Sequence, residues 1–257
     1  MRQNVIHLEN FYTTLLGQAA IAMVGRRLSA LWPDIHGQTV LGHGFAYPYL
    51  RTYAPQARLM CLTMPGSQGA IAHQGHRGFI SCLSEETLLP FRDAQFDKVL
   101  VSHAIEETPD LPALLSEFWR IIKPEGRLVI IASNRAGLWA RSENTPFGAG
   151  RPFSRQQLKV AMGQARFVPT FWSGALYVPP TIRLAKLSYV RGCERFGELV
   201  WPGFSGLVLV EAVKRLYAEP RNGKKQRIRQ KGFGAIPIGP QPTRNGLLQS
   251  DAENYEG

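Results

Sequence analysis

Along most of the first 215 residues, short apolar runs alternate with stretches in which apolar positions recur every three or four residues. That alternation predicts parallel strands joined by crossover helices. The segment ENFYTTLLGQAAIAMVGRRLSALW carries Leu15, Leu16, Ala19, Ala20, Met23, Val24 and Leu28 at helical spacing, which predicts one or two amino-terminal helices. Strands follow at TVLGHG, ARLMCLTMP, RGFISCLS and FDKVLVSHAI, then a helix over LPALLSEFWRIIKPEG and a fifth strand at RLVIIAS. A helix over SRQQLKVAMGQARF opens at Ser154, with Gln157 at capping-box spacing. Two late strands, around FVPTFWSGALYV and FSGLVLVEAVKRL, flank a helical or irregular insertion, TIRLAKLSYVRGCERFG, and suit an antiparallel addition to the sheet.

Two connections stand out. After the first strand, Gly42-His43-Gly44-Phe45-Ala46 lets the backbone bend tightly and present N–H groups to a ligand. No lysine follows, and the turn stops short of a dinucleotide fingerprint. A dinucleotide, a nucleotide phosphate, another adenosine cofactor or no ligand at all remain open at this point. The second is the loop from Asn134 to Phe153, long for an αβ connection and placed at the carboxyl end of the fifth strand, where open α/β sheets hold ligands.

With 44% hydrophobic and 19% charged residues, the 257-residue chain can bury one ordinary core. Cys61, Cys82 and Cys193 form no CxxC pair, so neither a disulfide framework nor a structural zinc site is expected, and no metal is. The amino terminus has no convincing signal peptide, and no run reaches the roughly 18 apolar residues of a membrane span, so a cytoplasmic location is expected. Of the formal charge of +11, six positive charges lie between Arg221 and Lys231 with no acid among them. The Gly- and Pro-rich remainder lacks helical or strand period, so we expect a domain over 1–219 and a flexible, basic tail over 220–257. A solubilising role for the tail is the simpler reading, with nucleic-acid binding the alternative, although no aromatic platform accompanies the charges.

The stretch LLPFRDAQFDKVLVSHAIEETPDLPALLSEFWRIIKPEGRLVIIAS resembles the central segment of class I S-adenosylmethionine-dependent methyltransferases, and in particular an uncharacterised bacterial branch of the type 11 group. The matching residues are Glu85, Leu89-Pro90-Phe91, Phe96-Asp97, the strand Lys98 to Ser102, and Ile122-Lys123-Pro124-Glu125-Gly126. The resemblance spans about residues 8–215. It implies an α/β, Rossmann-like fold with a mostly parallel seven-stranded sheet and helices on both faces. It also implies S-adenosyl-L-methionine as cofactor and methyl transfer to an acceptor, most simply a small molecule.

Carried over residue by residue, the resemblance puts Gly42, His43, Gly44 and Ala46 beside the amino-acid part of the cofactor, Thr63 and Met64 by its ribose, and Glu85 and Glu86 by its adenine. Two departures matter: Val40 replaces an acid before the first glycine, and Thr63 or Met64 replaces the acid ending the second strand. Glu85 and Glu86 could instead cap the next turn. His103, just past the fourth strand, is the candidate general base or cofactor contact, or a structural histidine. Trp139, Arg141, Phe147 and Arg151 make the long loop aromatic and basic, which suits a flat or anionic substrate, unless the aromatic pair simply pins the loop to the sheet. Two other readings stay open: a methyltransferase-like binding or regulatory protein that has lost catalysis, and an RNA or protein methyltransferase that uses the basic tail.

Overall fold

The computed structural model describes residues 3–71, 79–180 and 202–216. The expected basic tail and the insertion TIRLAKLSYVRGCERFG lie outside the described residues. In chain order the elements are α1 (Val5–Thr13), α2 (Leu15–Leu31), β1 (Thr39–Gly44), a one-turn α3 (Tyr47–Leu50), β2 (Leu59–Pro65), β3 (Phe79–Ser84) and β4 (Phe96–Ser102). Then come α4 (Leu111–Ile121), β5 (Ile122–Ser133), α5 (Arg155–Gln164), β6 (Phe167–Ala175) and β7 (Leu207–Lys214).

The amino-terminal apolar stretch forms two helices because Thr14 interrupts it. Its backbone is extended and its side chain caps α2 by accepting from the Gly17 N–H. Gly17 is needed at that joint, since a Cβ there would run into the Phe11 carbonyl. The capping box expected at Ser154 and Gln157 forms, with both reciprocal hydrogen bonds present.

The sheet has seven strands in the order β3-β2-β1-β4-β5-β7-β6. Strands β1 to β5 pair in parallel, whereas β7 pairs antiparallel with both β5 and β6. The expected fold is therefore present. Side chains alternate between two cores, as the pleat requires. Val40, Met60, Leu62, Leu100, Val129 and Leu209 pack beneath α1, α2 and α3. Leu41, Cys61, Val99, Leu128, Ile130 and Val210 pack beneath α4 and α5.

The helix expected over Leu111 to Gly126 is shorter than the pattern suggests. It ends at Ile121, and Lys123-Pro124-Glu125-Gly126 belongs to the start of β5. Glu125, not Gly126, takes the positive φ, at 61°. Gly126 is required for a different reason: a Cβ there would lie 2.8 Å from the Lys123 carbonyl and 2.6 Å from Ile122 Cγ2.

The Phe-Asp pair is equally mechanical. Phe96 is fully buried against the edge of Phe91, while Asp97 accepts from the Thr39 N–H at 2.8 Å and pairs with Lys123 Nζ at 2.7 Å. These contacts hold the Asp97 carboxyl below the usual range despite partial burial. One side chain thus ties β4 to the starts of β1 and β5. The Leu-Pro-Phe turn is clamped from α4: Glu117 accepts from the Leu89 N–H at 2.8 Å, and Arg120 donates to the Leu89 and Phe91 carbonyls at 3.0 and 2.7 Å.

Candidate functional site

The carboxyl ends of β1, β2 and β4 meet where the order of strand connection reverses, the usual place for a ligand in an open α/β sheet. Here the turn after β1 packs tightly. Gly44 has φ +73°, and a Cβ on it would strike the Ser102 carbonyl and lie 2.9 Å from Ala104 Cβ. Phe45 N–H donates to that same carbonyl at 2.8 Å. Gly44 therefore lets β1 and β4 close on each other, a demand of the protein's own backbone. Gly42 faces the side chains of Leu50 and Leu62 and the Cβ of Ala46.

The expected cofactor residues separate into groups. His43 and Thr63, both fully buried, pair through Nδ1 and Oγ1 at 2.9 Å across β1 and β2, and the His43 ring meets Phe118 of α4 edge-on. Glu86 approaches His43 Nε2 at 3.9 Å. Met64 is buried in the core on the opposite face of the sheet. Glu85 is exposed in the turn after β3, so the inward-facing acid of the pair is Glu86. The structure brings His43, Thr63 and Glu86 together and leaves Glu85 apart.

His103 adopts a positive φ of 51° directly after β4. Its Nε2 hydrogen-bonds the Tyr12 hydroxyl at 2.7 Å, and that hydroxyl meets the Tyr49 hydroxyl at 2.6 Å. Phe147 lies against the His103 ring at a centroid distance of 4.7 Å. Desolvation among these rings pushes the His103 pKa down to about 3 and the Tyr12 pKa well up. A neutral imidazole held this far below physiological pH is a weak proton acceptor, which disfavours the general-base role expected for it.

The long loop is largely packed. Trp139 is fully buried and donates from Nε1 to the Val178 carbonyl at 2.6 Å; Phe147 is buried against Phe11, Trp139 and His103. For Trp139 this corrects the substrate-binding expectation: the ring has no free face and pins the loop. Arg141 and Arg151 are exposed, with Arg151 over the Phe153 ring at 5.4 Å.

Glu106 and Gln68 were not singled out from the sequence. Glu106 Oε1 accepts from the Ser133 N–H at the end of β5, at 2.8 Å, and burial raises the carboxyl pKa to about 7. Gln68, in the turn after β2, donates from Nε2 to the His103 carbonyl at 3.2 Å, and its main-chain carbonyl accepts from the Val5 N–H at 2.9 Å. The sequence signal was the acid pair Glu106-Glu107 close behind His103, which motif spacing alone did not separate from a helix approach.

Comparison with known proteins fits this geometry. Residues 41–130 match the model of the methyltransferase domain. Over this segment the chain is similar to methyltransferase domains. Over 70 residues the chain is 36% identical to a demethylmenaquinone methyltransferase of Corynebacterium efficiens, covering 27% of this chain and 30% of that protein. A ubiquinone/menaquinone biosynthesis C-methyltransferase of Brucella anthropi is 40% identical over 53 residues, 21% of this chain and 19% of the relative. The chain thus spans less than a third of these curated relatives.

Solved structures extend the likeness of the methyltransferase fold over most of the chain. A methyltransferase from Thermotoga maritima, described as SAM-dependent and as a possible histamine N-methyltransferase, superposes with a TM-score of 0.60 at 19% identity, covering 82% of this chain and 96% of that one. Geranyl diphosphate C-methyltransferase from Streptomyces coelicolor, solved with S-adenosyl-L-homocysteine, gives 0.54 at 20% identity, covering 74% and 77%. At these identities the shared property is the fold.

The carboxyl edge of the sheet also carries polar groups suited to a polar ligand. Ser84 Oγ at the end of β3, Ser102 Oγ at the end of β4, Gln68 Oε1 and Glu106 Oε2 are buried without a hydrogen-bond partner among the described residues. Such groups are ordinarily satisfied. Among the described residues no helix is long and apolar enough to cross a membrane, and no group of three His, Cys, Asp or Glu side chains is placed to hold a metal.

Proposed function

We propose that this protein is an S-adenosylmethionine-dependent methyltransferase acting on a small-molecule acceptor. The observation that carries the reading is the run of unsatisfied buried polar groups along the carboxyl edge of a sheet whose central segment matches the methyltransferase model. The turn Gly42 to Ala46, with Glu86 and His103 around it, is the part of the chain that would hold the cofactor. Bound there, the cofactor supplies a methyl group made electrophilic by its sulfonium. The chain's own task is to align an acceptor, exclude water and receive a proton where the acceptor releases one. The aromatic cluster of Tyr12, Phe45, Tyr49 and Phe147 around His103 excludes water, and the Tyr12 hydroxyl fixes the ring.

Calorimetric titration of the full chain with S-adenosylmethionine tests the reading. Saturable binding at one site is expected, and its absence refutes it. A second reading, a methyltransferase-like protein that binds without catalysing, is favoured by two observations. Both cofactor acids are absent, and the Thr63 hydroxyl is engaged by His43. Binding without methyl transfer to any acceptor in a metabolite pool would select that reading.

A further inference from the structure

At the amino ends of β4 and β5, the opposite end of the sheet from the site described above, lies an open cavity of about 490 Å³. Leu31, Pro33 and Pro124 give it apolar walls, and Lys98, Lys123 and Arg127 line it as well. Two of these three cations have a carboxylate each. Lys123 Nζ pairs with Asp97 Oδ1 at 2.7 Å, and Arg127 Nη1 with Glu211 Oε2 at 2.6 Å. Lys98 differs. It is only 7% exposed, yet among the described residues its ammonium makes one hydrogen bond, a long one of 3.3 Å to the Asp34 carbonyl, and lies 5.2 Å from the centroid of the Trp32 ring. Neither of those two groups carries a charge.

The strand register sharpens the point. Lys98 and Arg127 stand opposite each other on the parallel strands β4 and β5, so both side chains leave the same face of the sheet, and like charges so placed repel. Burial, and then Arg127, hold the Lys98 pKa below its ordinary value, while Glu211, Asp34 and Asp97 act the other way without touching it. A buried cation ordinarily has a counter-charge in contact. Glu211 is taken by Arg127, both oxygens of Asp97 are taken by Lys123 and the Thr39 N–H, and Glu125, the other carboxylate lining the cavity, is exposed. The three cations keep most of their donors, since an ammonium has three N–H groups and a guanidinium five, and the contacts above use one of each. We propose that this cavity binds a phosphate-bearing small molecule, the phosphate seated among Lys98, Lys123 and Arg127 and the organic group against Leu31, Pro33 and Pro124. A phosphate dianion gives Lys98 the counter-charge it lacks and offsets its repulsion with Arg127. The volume lies within the roughly 300–1,000 Å³ of small-molecule pockets, so it admits more than the phosphate alone. The site does not rest on the methyltransferase reading; its ligand is a second one, at the far end of the strands.

The test is calorimetric titration of the full chain with phenyl phosphate, inorganic phosphate and phenol, at constant ionic strength and about pH 8, where a phosphate monoester is a dianion. Phenyl phosphate is expected to bind saturably at one site and more tightly than inorganic phosphate, and phenol not to bind. Lys98→Met keeps the aliphatic stem against Trp32 and removes the charge, and should weaken phenyl phosphate by about tenfold or more. Lys123→Met should act in the same direction, and keeps the test open if the first variant folds poorly. Lys159→Ala, which removes one positive charge from the exposed face of α5, should leave the affinity unchanged. No saturable binding of either phosphate, affinity indifferent to both Lys98→Met and Lys123→Met, or equal weakening by Lys159→Ala overturns the site. Phenyl phosphate binding no more tightly than inorganic phosphate overturns the seat for an organic group.

Discussion

Glu106 gives the structure a signature that can be read without any ligand. Its carboxyl has a folded-state pKa of about 7 against an ordinary 4.5, chiefly because burial disfavours the charged form; Glu107 adds repulsion, and the Ser133 N–H works against the rise. The other titratable groups close by, His103 and Tyr12, stay neutral at pH 7 because their own shifts run away from it. A carboxyl whose pKa is raised on folding binds its proton more tightly in the folded state. Its contribution is therefore fully present below about pH 4.5 and is lost as pH rises through about 7. The span of the shift corresponds to about 3 kcal/mol. Glutamine does not titrate, so Glu106→Gln removes this dependence and leaves every other titrating group in place. Urea unfolding of both proteins across the range from about pH 4 to about pH 8 reads the difference directly. The stability of the wild type relative to the variant should fall by about 3 kcal/mol over that range, most steeply between about pH 5 and about pH 6.5, and level off above neutrality. Parallel curves would show that Glu106 ionises freely in the folded protein, and the argument for a poised carboxylate would fail.

Four further outcomes are expected. Trp139→Ala should destabilise the fold by about 3–5 kcal/mol, while Arg141→Ala and Arg151→Ala stay within about 0.5 kcal/mol in the same unfolding assay, because the tryptophan is core and the arginines are exposed. Gly44→Ala should lower stability by about 2 kcal/mol or more, since it adds a clash with the Ser102 carbonyl to an unfavourable φ; a melting curve matching wild type would count against the close β1–β4 approach. Asp97→Ala should cost about 2 kcal/mol through loss of the Thr39 and Lys123 contacts, measured by the same unfolding assay at neutral pH, whereas Lys123→Met should cost less because Thr39 keeps its partner. Deleting residues 221–257 should leave the melting temperature unchanged, as that segment lacks apolar periodicity.

What could be read from the sequence was the framework. Phe96-Asp97, Leu89-Pro90-Phe91 and Lys123 to Gly126 are recognisable because each solves a fixed mechanical problem at fixed spacing: starting three strands together, or seating one turn on α4. The same logic misled at Gly126, where the spacing suggested a helix stop and the cause is the approach of neighbouring backbone. The site was less legible because its chemistry comes from meetings between distant segments. Glu106 acquires its environment from Ser133, 27 positions away, and Gln68 from His103, 35 positions away. Trp139 illustrates the converse: an aromatic residue in a long loop reads as a ligand contact until the Val178 carbonyl and Phe147 account for it.

The placement of β7 bears on how the chain reaches this fold during synthesis. β7 is the last described strand, yet it lies between β5 and β6, and every one of its residues is buried. As the polypeptide leaves the ribosome, β5 must therefore wait with an open, apolar edge, and β6 has no neighbour in the sheet, until Leu207–Lys214 has emerged. A nascent chain halted before residue 207 exposes the kind of edge that other chains can add to. The late arrival of an interior strand makes release of Lys214 the step after which the sheet can close.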